Sequence, residues 1–110
     1  MKRNNVLLRK NILESLDRIL SENATGMKDV TVKVDLDAFH SNEYPYERSY
    51  EIVSEIAMDR IRTAVYNIGG LGVNCSTDSK GRIHVTFRVH NSLTERDIFV
   101  SFKSQYLPLV

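Results

Sequence analysis

Apolar and polar residues alternate most cleanly over residues 29–39, DVTVKVDLDAF, where Val30, Val32, Val34, Leu36 and Ala38 are interleaved with Thr31, Lys33, Asp35 and Asp37. A two-residue period sends one set to each face of a pleated strand, so this stretch is predicted as a strand with one face in water. Residues 43–68 carry the other period. At about 100° per residue, Tyr46, Tyr50, Val53, Ala57, Ile61, Ala64, Val65 and Ile68 share one apolar arc, which predicts a long central helix. Ser41 or Asn42 would cap it and Pro45 would sit in its first turn, where a missing N–H costs nothing. A shorter helix is predicted over residues 5–21, its stripe formed by Leu8, Ile12, Leu13, Leu16, Ile19 and Leu20.

Glycines mark the ends of these runs. Gly26 closes the loop after the first helix, and Gly69 stops the central helix at Ile68 by accepting a left-handed backbone. Leu71, Val73 and Cys75 then alternate with Gly72, Asn74 and Ser76, and Asp78–Gly81 reads as a hairpin turn. The return strand is residues 82–89, with Ile83, Val85, Phe87 and Val89 inward and His84, Thr86 and Arg88 outward. Residues 97–106 fit two patterns. Ile98, Val100 and Phe102 suit a strand, whereas Ile98, Phe99, Phe102 and Tyr106 suit a helix opened by a capping box from Ser92 to Glu95. The clustered Phe and Val favour the strand. The apolar end, residues 107–110, either docks on its own domain or reaches a neighbour.

The elements assemble as α-β-α-β-β-(β), an α+β fold with two amphipathic helices packed on one face of a three- or four-stranded, mainly antiparallel sheet. With 110 residues and 42% apolar content, residues 1–110 suit a single domain. One cysteine, Cys75, allows no internal disulfide and no thiolate cluster, which fits a reducing compartment and makes the cytoplasm the expected location. No run approaches the roughly 20 apolar residues of a membrane span.

A net charge of +1 hides segregation along the chain. Residues 1–28 carry net +3, residues 29–59 net −6 and residues 60–110 net +4. Within the acidic middle, Glu43, Glu47, Glu51, Glu55 and Asp59 recur every four residues, which on one helix would draw a ridge of like charges. Each such pair costs about 0.2–0.5 kcal/mol, and Arg48 and Arg62 relieve only part of it. A solvated helix face is the plain explanation; the functional one is a docking surface for a protein with a basic surface. Tyr44 and Tyr46 at the start of the ridge could anchor such a partner.

Other motifs resolve into structure. Gly69-Gly70-Leu71-Gly72 resembles the GxxG loop of the KH nucleic-acid-binding module, but that loop joins two helices and here a strand pattern follows. Residues 34–39, VDLDAF, resemble the metal-binding strand of the Y-family DNA polymerases. Those enzymes need a second acidic motif and further domains, and alternation on the wet face of a strand explains the same residues.

The leading expectation is therefore a non-enzymatic protein–protein interaction module: a small adaptor, inhibitor or assembly subunit of a kind often carried by phages. It would act through the acidic ridge or the open sheet face, without a cofactor. Self-association through an uncovered strand edge is a further expectation. Two other classes compete. A nucleic-acid-binding protein would use Lys2, Arg3, Arg9, Lys10, Arg82, Arg88 and Arg96, and a metal-dependent hydrolase would centre on Asp35, Asp37 and His84 with His90 nearby.

Overall fold

The computed structural model describes residues 26–110, so the predicted helix over residues 5–21 lies outside the described residues. The described residues divide between two compact units, residues 29–89 with 93–110 and residues 26–28 with 90–92. In the second, the Asn91 N–H donates to the Gly26 carbonyl at 2.8 Å. In chain order the elements are β1 (Met27–Asp35), α1 (Leu36–Glu43), α2 (Tyr50–Asn67), β2 (Leu71–Thr77), β3 (Arg82–His90) and α3 (Glu95–Ser104). The fold is α+β, with an antiparallel sheet of order β1-β3-β2 and a described sequence of elements β-α-α-β-β-α.

The first strand stops four residues short of its predicted end. Asp35 leaves the strand to cap α1, its carboxylate accepting from the Ala38 N–H at 3.0 Å. A continued strand would send Leu36 and Phe39 to opposite faces, whereas three residues apart on a helix both are buried. The regular alternation at Leu36 and Ala38 is thus shared by a strand and the first turn of a helix, and the aspartate decides between them.

The central helix is shorter than its pattern. Tyr44 is the C-cap of α1, donating its N–H to the His40 carbonyl at 3.0 Å, and Pro45 follows it as a stop. Pro45 therefore closes one helix where the sequence suggested it opened another. The cap of α2 is Ser49, not Ser41 or Asn42; its hydroxyl accepts from the Ile52 N–H at 3.3 Å. From Val53 onwards the predicted arc holds, with Val53, Ala57, Ile61, Ala64 and Val65 buried, whereas Tyr50 in the first turn and Tyr46 in the loop before it, both placed on the arc by the sequence, are exposed. At the far end Gly69, at φ 71°, donates to the Tyr66 carbonyl and Gly70 to that of Val65. This paired closure is the glycine stop expected from the sequence.

The hairpin matches its reading. β2 and β3 pair antiparallel with Cys75 opposite Val85, and a bulge between Leu71 and Asn74 is accommodated by Gly72 at φ 63°. Ile83, Val85, Phe87 and Val89 are all buried.

Residues 97–106 are the main correction, because they form helix α3. Its capping box joins Thr94 to Asp97, not Ser92 to Glu95. Ile98, Ser101 and Phe102, at helical spacing, are its buried residues, and Val100, inward in the strand reading, is 52% exposed. The Ser101 hydroxyl donates to the Ala64 carbonyl on α2 at 2.7 Å, which satisfies the one buried polar side chain of this interface. Packing on α2 thus overrides the β-propensity of Phe99 and Val100. The apolar end docks on its own chain: Asp35 N–H donates to the Pro108 carbonyl at 2.8 Å and Val110 N–H to the Lys33 carbonyl at 2.9 Å, and Leu109 bridges Val34. The outer edge of β1 is covered this way at its Lys33–Asp35 end.

Candidate functional site

The five carboxylates of the predicted ridge do not share one rod. Glu43 ends α1, Glu47 lies in the connecting loop, and Glu51, Glu55 and Asp59 lie on α2. Two of the outliers serve the fold. Glu43 faces Arg60 at 3.7 Å, and the Glu47 carboxylate accepts from the Ser49 N–H at 2.9 Å, steadying the residue that caps α2. The Glu47 carbonyl accepts from His40 Nε2 at 2.6 Å, so that nitrogen carries a proton. Asp59 stands 3.9 Å from Arg62 on an exposed flank.

The two tyrosines divide in the same manner. Tyr44 packs against Phe39 with ring centroids 5.8 Å apart, and its hydroxyl accepts from Arg60 at 2.9 Å. Tyr46 is 94% exposed.

What stays open is a stretch on the first turns of α2. Glu51 and Glu55 are exposed one turn apart, and Ile52, between them in sequence, is 49% exposed with Ile56 one turn further and partly buried. Acidic and apolar side chains therefore run in adjacent rows, with Tyr46 in the loop just before. Ile52 was missed because it falls outside the apolar arc that covers the core. A large aliphatic residue off that arc is the signal that finds it.

Arg60 was missed as well. It lies on the apolar side of α2, three residues from Ala57 and four from Ala64, and its guanidinium sits 5.3–5.8 Å from the ring centroids of Phe39, Tyr44 and Tyr106. A cation at the border of an apolar arc is its signature in the sequence.

The residues grouped for a metal-dependent hydrolase are held apart by separate partners. Asp35 caps α1, and Asp37 accepts a hydrogen bond from the Tyr50 hydroxyl. Burial and that bond, with the charges of Asp37 and Asp35, push the Tyr50 phenol up to about 12. His84 Nε2 lies 2.7 Å from Asp78 Oδ2, and His90 Nδ1 lies 2.7 Å from the Ser92 hydroxyl. Among the described residues, no three His, Cys, Asp or Glu side chains gather as a metal-ligand set.

The His84 contact, helped by the Lys80 and Arg82 N–H groups, lowers the Asp78 carboxyl to about 2. The folded value lies below the unfolded one, so this group's stabilisation is present above about pH 4 and is lost as pH falls towards 2. In an NMR titration Asp78 is expected to show a midpoint near 2, moving up towards the ordinary carboxylate range in His84→Gln.

The outer face of the sheet is polar. Thr31, Lys33, Asn74, Ser76, Thr86 and Arg88 are exposed there, and Arg88 meets Asp29 at 2.9 Å. Phe39 belongs to the core and Phe99 to α3, so neither lies on this face. A separate apolar groove of 460 Å³ runs beside β1, where Val30 and Val32 meet Ile98, Phe99 and Leu109. Among the described residues no helix is long and apolar enough to cross a membrane. Compared with family models, curated proteins and solved structures, the chain matches none of them.

Proposed function

We propose that the chain is a non-enzymatic docking module that binds a protein with a basic surface along the first turns of α2. The observation that carries this reading is Ile52, half-exposed between Glu51 and Glu55, whose carboxylates meet no cation among the described residues. An apolar row to be covered beside an acidic row suits a partner that presents lysines or arginines around an aliphatic or aromatic contact. Tyr46, almost fully exposed, extends the same surface as an anchor. The acidic surface is smaller than the sequence suggested, since Glu43, Glu47 and Asp59 are engaged within the chain. The outer sheet face carries neither Phe39 nor Phe99, so these aromatics add no base-stacking platform to the nucleic-acid reading.

The test is affinity capture from the native host with the wild-type chain and with Glu51→Lys combined with Glu55→Lys. Affinity for the captured partner is expected to fall about 10- to 100-fold in the double variant, and less steeply at high salt. Both positions are exposed, so melting should shift little, within about 0.5 kcal/mol. Retention unaffected by the reversal would move the interface off α2.

A further inference from the structure

The two edges of the sheet are treated differently. The edge at β1 carries the chain's own residues 108–110, hydrogen-bonded to Lys33 and Asp35, whereas nothing among the described residues pairs with the outer side of β2. The turn fixes which backbone groups β2 presents. Asp78 N–H donates to the Arg82 carbonyl at 2.9 Å, so Asp78 and Arg82 form a hydrogen-bonded pair, and alternation along the register makes Ser76–His84 and Asn74–Thr86 the next two. The N–H and C=O groups of Cys75 and Thr77 therefore point away from β3.

Such edges are usually protected by a lysine, a proline or an inward charge. β2 has none of these: LGVNCST is uncharged throughout and ends in three exposed or half-exposed polar residues around Cys75. Its bulge lies at the far end, between Leu71 and Asn74, leaving residues 74–77 in regular register.

We propose that β2 is a self-association edge, on which a second copy of the chain pairs its own β2 antiparallel about a two-fold axis through Cys75. The sequence is self-complementary in that register. Val73 and Thr77 exchange places across the axis, Cys75 meets its counterpart, and Asn74 lies opposite Ser76 on the polar face, where amide and hydroxyl can bond. The half-buried Val73 and Cys75 lie on the helix side of the sheet, so pairing extends the apolar layer of each copy. Arg62, the cation of α2 whose charge reaches Cys75, is already met by Asp59. A closed two-fold pairing makes one six-stranded sheet and leaves no further β2 edge to propagate. This inference is independent of the α2 surface.

The test uses the full chain in sedimentation equilibrium over a range of concentrations, with two double variants at exposed positions. Asn74→Lys with Ser76→Lys sets like charges opposite one another across the axis twice, and dimerisation is expected to weaken at least about tenfold. Asn74→Lys with Ser76→Glu sets opposite charges there and is expected to dimerise at least as tightly as wild type. In amide exchange, the Cys75 and Thr77 N–H groups are expected to be protected in the dimer and exposed on dilution. A wild-type chain that stays monomeric at about 100 μM overturns the proposal, as does a dimer that treats the two variants alike. Protection of those amides in the monomer also overturns it, since the edge would then be covered by the chain itself.

Discussion

Replacing Phe102 with alanine is expected to lower stability by about 3–5 kcal/mol, a large part of the roughly 5–15 kcal/mol that holds a domain of this size together. Phe102 is fully buried on α3 and stacks on Phe87 of β3, with ring centroids 6.0 Å apart and planes inclined by 27°. It joins the last helix to the middle strand of the sheet, so truncation leaves a cavity bounded by two different elements, which cannot close by a shift of one. The companion substitutions make the result specific. Val100→Ala and Phe99→Ala, at 52% and 46% exposure, should each cost under about 1 kcal/mol. Were the segment a strand, Val100 and Phe102 would share a face and both substitutions would be costly. Urea denaturation of the three variants reads the difference directly, with a fall of roughly 2 M in midpoint expected for Phe102→Ala alone.

The second large effect belongs to Arg60→Ala, expected to cost about 2–3 kcal/mol by the same measurement. Its ion pair with Glu43, at 3.7 Å and partly solvated, contributes little of this. The larger share comes from the donors and the planar face: Nη2 bonds the Tyr44 hydroxyl, Nη1 bonds the Gln105 carbonyl at 3.3 Å, and the guanidinium lies against three aromatic rings. One side chain thereby ties the end of α1, the middle of α2 and the turn after α3. That turn needs restraint, because Tyr106 adopts φ 60°, a backbone state that costs a non-glycine residue about 1–2 kcal/mol. Arg60→Lys keeps the charge but not the fork, and should recover less than half of the loss. Full recovery by lysine would show that the ion pair alone mattered.

These two residues also mark where the sequence could and could not be read. The hairpin, the glycine stop after α2 and the core arc of α2 were legible because each rests on local signals: period two on either side of a turn, and glycines where a left-handed backbone is required. The switch from strand to helix at Asp35 was hidden because Leu36 and Ala38 satisfy both periods, and the decisive contact is a side chain bonding three residues ahead. Pro45 misled in the same way, being acceptable after one helix as well as inside the start of the next. For α3 the local preference of Phe and Val pointed to a strand, and only the distant surface of α2, with the Ala64 carbonyl awaiting Ser101, overrules it. The acidic spacing was real in the sequence, but a five-member ridge required one unbroken helix from residue 43 onwards, and the break at residues 44–49 divides it.

The tip of the β2–β3 hairpin is clasped, not loose. The Leu36 N–H donates to the Gly81 carbonyl at 3.0 Å, Gly81 sits at φ 74°, and a Cβ there would come within 2.7 Å of the Asp37 carboxylate. Hairpin tips are customary places to graft an epitope or split a protein, and here that choice would prise the sheet off the start of α1. The position open to a label is Tyr46, whose side chain already projects freely into solvent; a group attached there would sit over the proposed docking surface and report on it by blocking it.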